Sequence, residues 1–139
     1  MKIIIPLAGF GSRLRPHTYS RPKALLNVAG LPVLGHMLNM FNTLTVEEYI
    51  FITGYMGDQI QSYITYAHPN INARFIKQEH LNGQSPAILL AKNFVNGPVL
   101  IGFADTLVET DLSIINDSND DAITWVKQVE DPRRFGVAI

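Results

Sequence analysis

The sequence contains no cysteine, which excludes disulfides and thiolate metal sites and leaves folding to the apolar core alone. Charge of neither sign dominates: 11 Lys and Arg stand against 12 Asp and Glu, a formal net charge of −1. No global positive field draws nucleic acid or an anionic membrane, so any bound anion must be held by locally placed cations and backbone donors. Long hydrophobic runs are missing too. None approaches the ~20 apolar residues that span a bilayer, and the opening Met1-Lys2-Ile3-Ile4-Ile5-Pro6 is too short for a signal peptide. The expectation is a cytoplasmic protein with no nucleic-acid or membrane partner. No internal repeat or low-complexity tract is visible, and His17, His36, His68 and His80 lack metal-ligand spacing. His36 reads as structural, and Trp125 as a core residue of a strand.

What is present is apolar: 47% of the 139 residues are hydrophobic and 17% charged. Residues 1–139 are therefore expected to form a single domain, able to bury roughly two-thirds of the surface its unfolded chain exposes. Short β-branched runs predict strands at residues 2–8, 48–53, 73–78, 98–103 and 122–129, with another beginning at 137–139. Apolar residues at helical spacing predict helices at 33–44, 57–67 and 86–94, with Pro86 suited to a first turn. Residues 9–29 read as one long loop. The alternation of strand and helix implies an α/β fold with a mainly parallel, Rossmann-like sheet and helices on both faces. Ligands of such sheets bind outside the carboxyl ends of the strands. The polar segments after strands one, three and four all fall there.

The first of these segments reads LAGFGSRLRPHTYSRPK over residues 7–23. Glycines directly after a strand let backbone N–H groups approach a phosphate with no side chain in the way. A dinucleotide fingerprint would need a third glycine where Leu14 stands, and a Walker loop would need Gly-Lys-Ser/Thr, which does not occur. What remains is Gly-x-Gly-Ser-Arg-Leu-x-Pro-x-Thr, followed by Pro22-Lys23 and then by Leu25, Val28, Gly30 and Pro32. This string resembles the signature of the sugar-phosphate nucleotidyltransferase family, whose members transfer thymidylyl, uridylyl, guanylyl or cytidylyl groups to a sugar 1-phosphate.

The resemblance implies the nucleotide-diphospho-sugar transferase type of fold and assigns roles residue by residue. Leu7, Ala8, Gly9, Gly11, Ser12 and Arg13 match the positions that cradle the nucleoside triphosphate. Arg13 and Lys23 match the cations that hold the triphosphate and the reacting phosphate together, as an attack between two anions requires. Arg15 falls at a variable position and has no assigned role. The string Gly102-Phe103-Ala104-Asp105-Thr106-Leu107 resembles the family's metal segment, with Asp105 on the ligand of Mg²⁺ and Ala104 where glycine is usual. Gln78 through Gly83 resembles the base-recognition segment, although Gln84-Ser85-Pro86-Ala87 departs from the run that normally follows. Asp131-Pro132-Arg133-Arg134-Phe135-Gly136-Val137 resembles a segment whose glycine lies near the sugar, which makes Gly136 a sugar-side candidate.

Catalytic domains of that family continue beyond the Phe-Gly-Val segment, where further sugar contacts and a second metal carboxylate lie. The resemblance thus implies a domain incomplete at its C-terminus that carries the nucleotide-binding part, with weak or no turnover alone. Two alternatives stand beside it. One is a non-catalytic nucleotide-binding or assembly module, whose uncovered sheet edge would favour homo-oligomers. The other is a nucleotidyltransferase acting on a non-sugar phosphate.

Overall fold

The computed structural model describes residues 1–134 and 136. Four parallel strands build the sheet: β1 (Lys2–Pro6), β4 (Glu48–Thr53), β5 (Ala73–Lys77) and β6 (Val99–Ile101), in the order β5-β4-β1-β6. Lys2 lies opposite Glu48 on one side and Val99 on the other, so β1 is paired on both sides over Lys2 to Ile4. A small antiparallel hairpin, β2 (Asn27–Val28) and β3 (Leu31–Pro32), precedes the first helix.

Alternation along the strands decides which helix covers which face. Ile3, Ile5, Leu7 and Phe51 cluster with Leu34, Met37 and Leu38 of α1 (Val33–Met40) and with Ile60 and Ile64 of α2 (Gly57–Ala67). Ile4, Ile50 and Ile52 point the other way, to Ala87 of α3 (Gln84–Leu89) and Ala91 just beyond it. Both faces of the central strands are therefore buried, each large side chain contributing roughly 1.5–3 kcal/mol. The chain crosses from β1 to β4 over one face and reaches β6 by way of α3 on the other. The direction of winding thus reverses between β1 and β6, and a crevice opens there at the carboxyl ends of the strands.

The opposite edge of the sheet is closed by charge. The Glu48 side chain is 6% exposed, and its carboxylate accepts from Lys2 Nζ at 2.9 Å and from Arg74 Nε at 2.8 Å. Arg74 also lies over the Phe94 ring, 4.5 Å from its centroid, and Lys2 Nζ donates to the Phe94 carbonyl at 2.8 Å. Burial pushes the Glu48 carboxyl up, but the hydrogen bonds from Lys2 and Arg74 and their charges reverse this and leave its pKa below the ordinary value. The hydrogen bond to Glu48 raises Lys2 correspondingly.

Several expected elements are modified. The helix expected at 33–44 ends at Met40 and tightens into a 3-10 turn, Phe41–Thr43. That expected at 86–94 starts at Gln84, placing Pro86 in its first turn. It gives way after Leu89 to i→i−3 bonds at Leu90 and Ala91 and to a 3-10 turn, Lys92–Phe94. The long loop at 9–29 is a succession of 3-10 turns, Ser12–Leu14, His17–Tyr19 and Lys23–Leu25, running into β2. Residues 122–129 form no strand, and Trp125 is 36% exposed rather than in a core. A β-rich run becomes a strand only where a neighbouring edge takes up its ladder bonds, and among the described residues the sheet stops at β6. The strand expected from residue 137 lies outside the described residues. A short helix, α4 (Ile114–Asp117), follows β6 instead. No described helix is long and apolar enough to cross a membrane.

Candidate nucleotide site at the carboxyl edge

A cavity of about 460 Å³ occupies the crevice. The end of β1 and the loop after it form one wall through Leu7, Ala8, Gly9, Gly11, Ser12 and Arg13. Gln78 and Gly83 stand on another side, with Lys23 and Asp105 across the mouth. Every residue singled out in the sequence as a nucleotide, metal or catalytic candidate thus lines one cavity. Gly136 does not: it is exposed and is not among the lining residues.

The glycine-rich loop is shaped by contacts its motif does not announce. Gly11 has φ +61°, and a Cβ there would stand 3.0 Å from both Lys23 Cβ and Thr18 Cγ2. Glycine is required both for the left-handed backbone and for the space. Thr18 is buried, and its hydroxyl donates to the Gly11 carbonyl at 3.0 Å. Tyr55, two residues beyond β4, reaches the carbonyls of Thr18 and Tyr19 with its hydroxyl, each at 3.3 Å. Its ring packs against Phe10, with centroids 5.1 Å apart. Gln59 of α2 donates to the Ser20 carbonyl at 3.1 Å. Tyr55 and Gln59 lie far along the chain from the loop, so only the fold could reveal them. Arg15 lies over the Tyr19 ring at 5.3 Å, and His36 contacts the Val28 carbonyl at 2.7 Å.

Gln78 is 6% exposed, fixed by its backbone N–H on the Thr53 carbonyl at 2.7 Å and by its side-chain amide donating to the Gly83 carbonyl at 3.3 Å. Gly83 has φ +106° and ψ −176°, a conformation side chains rarely adopt, which folds the 78–83 segment back into α3. Ala104 is buried, and its methyl joins the core beneath α1.

The cations differ in their state. Arg13 is exposed and makes no ion pair among the described residues. Lys23 Nζ lies 2.6 Å from Asp105 Oδ2, with side-chain exposures of 35% and 52%. The Lys23 hydrogen bond, opposed by partial burial and aided by the lysine charge, holds the Asp105 carboxyl below its ordinary pKa. Its other oxygen accepts from Thr106 Oγ1 at 3.4 Å. Among the described residues no cluster of three or more His, Asp or Glu could hold a metal by itself.

A crevice at the switch point, walled by glycine backbone and faced by an exposed arginine, is joined by a direct match over residues 2–139 to the nucleotidyl transferase family. The chain belongs to that family. It is 34% identical over 138 residues to the bifunctional protein GlmU of Methanococcus vannielii, a match that takes in 99% of this chain and 32% of the relative. The UTP–glucose-1-phosphate uridylyltransferase AglF of Haloferax volcanii is 23% identical, over all of this chain and 60% of its own. Among solved structures, HddC from Yersinia pseudotuberculosis superposes with a TM-score of 0.74 at 24% identity, covering 86% of this chain and 54% of that one, which shows the shared fold. The chain spans about a third of the length of the GlmU relatives it matches.

Proposed function

We propose that residues 1–139 form a single domain carrying the nucleotide-binding part of a cytoplasmic nucleotidyltransferase that joins a nucleoside triphosphate to a sugar 1-phosphate. The observation that carries this reading is the convergence of Gly9, Gly11, Arg13, Lys23, Gln78 and Asp105 on one cavity at the carboxyl edge. The name of AglF supports a sugar 1-phosphate as the acceptor and a pyrimidine as the base.

In this reading the backbone of residues 8–13 cradles the triphosphate, and Arg13 spreads its planar fork over phosphate oxygens. Lys23 screens the repulsion between the triphosphate and the incoming sugar phosphate, so that an acceptor oxygen attacks the α-phosphorus in line. The new O–P bond forms as the bond to the β-phosphate breaks, and pyrophosphate leaves. Gln78 offers an amide to the base edge. Asp105 is a hard oxygen donor of the kind Mg²⁺ takes, and it would hold the cation at the mouth of the cavity. Bound there, Mg²⁺ would neutralise phosphate charge.

Calorimetry with Mg²⁺ and each of four nucleoside triphosphates tests the binding claim, and binding to none would sink it. A pyrophosphate-release assay with sugar 1-phosphates and with phosphocholine as acceptors separates sugar from non-sugar substrates. Self-association is a second reading of the chain's role, favoured by the outer edge of β6, which has no ladder partner among the described residues. A sedimentation experiment showing only monomer would remove it.

A further inference from the structure

We infer that Lys23 and Asp105 form an exchange pair that makes cation binding conditional on triphosphate binding. The inference rests on the nucleotide-site reading above. Without a ligand, both oxygens of Asp105 are engaged, Oδ2 by Lys23 at 2.6 Å and Oδ1 by Thr106 at 3.4 Å. A divalent cation arriving alone must displace an ammonium from its only carboxylate and then sit beside that ammonium. Among the described residues no second carboxylate lines the cavity to offset the repulsion. A triphosphate changes the balance. It gives Lys23 a stronger anionic partner across the same cavity, and Lys23, on a flexible stem, can turn to it. Asp105 is then released beside new phosphate oxygens, which together with it complete a hard-oxygen shell. Arg13, without an ion pair among the described residues, is the fixed receptor, and Lys23 is the part that changes partner.

This arrangement has a consequence that a simple metal-ligand role for Asp105 lacks. Asp105 restrains Lys23, so removing its charge should help a metal-free triphosphate while harming the metal complex. The test is a double-mutant cycle with Asp105→Asn and Lys23→Met, the latter keeping the stem that packs against Gly11. Inorganic triphosphate is titrated with EDTA and again with Mg²⁺. Binding of Mg²⁺-triphosphate by the wild type tests the nucleotide-site reading itself, and its absence ends both claims. With binding present, Asp105→Asn is expected to tighten metal-free triphosphate about fivefold or more, the lower end of ordinary coupling between sites. It should weaken the Mg²⁺ complex, and in the Lys23→Met background the metal-free gain should vanish. An equal gain in both backgrounds would mean that Asp105 acts only through its field, and no gain would mean no restraint; either overturns the exchange. A second measurement uses Mn²⁺ alone, read by its paramagnetic signal. Lys23→Met should bind it about fivefold more tightly than wild type, and equal affinities would overturn the proposal.

Discussion

The Thr18 hydroxyl donates to the Gly11 carbonyl over 3.0 Å and ties the start of the glycine-rich loop to its middle. Thr18 is almost fully buried, and its methyl lies against the space where a Gly11 side chain would go. Thr18→Val keeps the shape and removes the donor. It should cost about 0.5–1.5 kcal/mol of stability and weaken Mg²⁺-nucleotide binding, because the carbonyl it restrains belongs to the proposed phosphate cradle. Thr18→Ser should stay closer to wild type in affinity. Thermal melts and calorimetry check this, and a Val variant with unchanged affinity would show that the cradle holds its shape without Thr18.

Gly11→Ala is the harsher change. The left-handed backbone costs an alanine about 1–2 kcal/mol, and its methyl would press on Lys23 and Thr18 at 3.0 Å. Stability should fall by at least that amount, and affinity for the triphosphate more steeply than for Gly9→Ala, since a Cβ at Gly9 meets nothing within 4 Å. Equal losses at the two glycines would contradict the steric account.

Much of the fold and the charged residues that line the cavity were legible in the sequence, for different reasons. β4 and α2 carry their period on their own residues and fall on the expected bounds, 48–53 and 57–67. The cavity residues were legible because phosphate chemistry demands glycine and cation at fixed short spacing. Tyr55 and Gln59 were not, since they act on the loop across 30 or more residues through one hydroxyl and one amide, and nothing local marks them. The 122–129 run misled because strand propensity says nothing of whether a partner edge exists. Ala104, a departure from the family pattern, has its methyl in the core beneath α1.

Glu48 should control acid stability. Its folded pKa lies below the ordinary 4.5, so its stabilisation is present above about that pH and is lost as pH falls through the folded value. Lys2 is raised above 10.5, so its share is present below that value and is lost as pH rises through the higher folded one. Glu48→Gln leaves Lys2 and Arg74 facing a neutral amide and should cost about 1–3 kcal/mol near neutrality. Melts from roughly pH 7 to pH 3 should show the gap between wild type and variant constant at first, then closing below the ordinary carboxylate value. A gap that widens in acid would reverse the sign and refute the account. Because this network lies at the sheet edge opposite the cavity, nucleotide affinity should be unchanged near neutrality.

If Gln78 reads the base as proposed, its substitution should separate recognition of the base from recognition of the phosphates. Its amide donates to the Gly83 carbonyl, and among the described residues its oxygen accepts no hydrogen bond, leaving that oxygen for a base donor. Gln78→Leu removes the amide while keeping a side chain of similar bulk. The spread of affinities among four Mg²⁺-nucleotides should narrow about two- to tenfold, the worth of one neutral hydrogen bond. Affinity for inorganic triphosphate should not move, because the cradle of residues 8–13 does not rest on this side chain. If triphosphate affinity falls in step with nucleotide affinity, Gln78 shapes the cavity rather than reading the base. If the order and spread of nucleotide affinities are unchanged, base selection resides elsewhere, and the backbone around Gly83 is the next place to test.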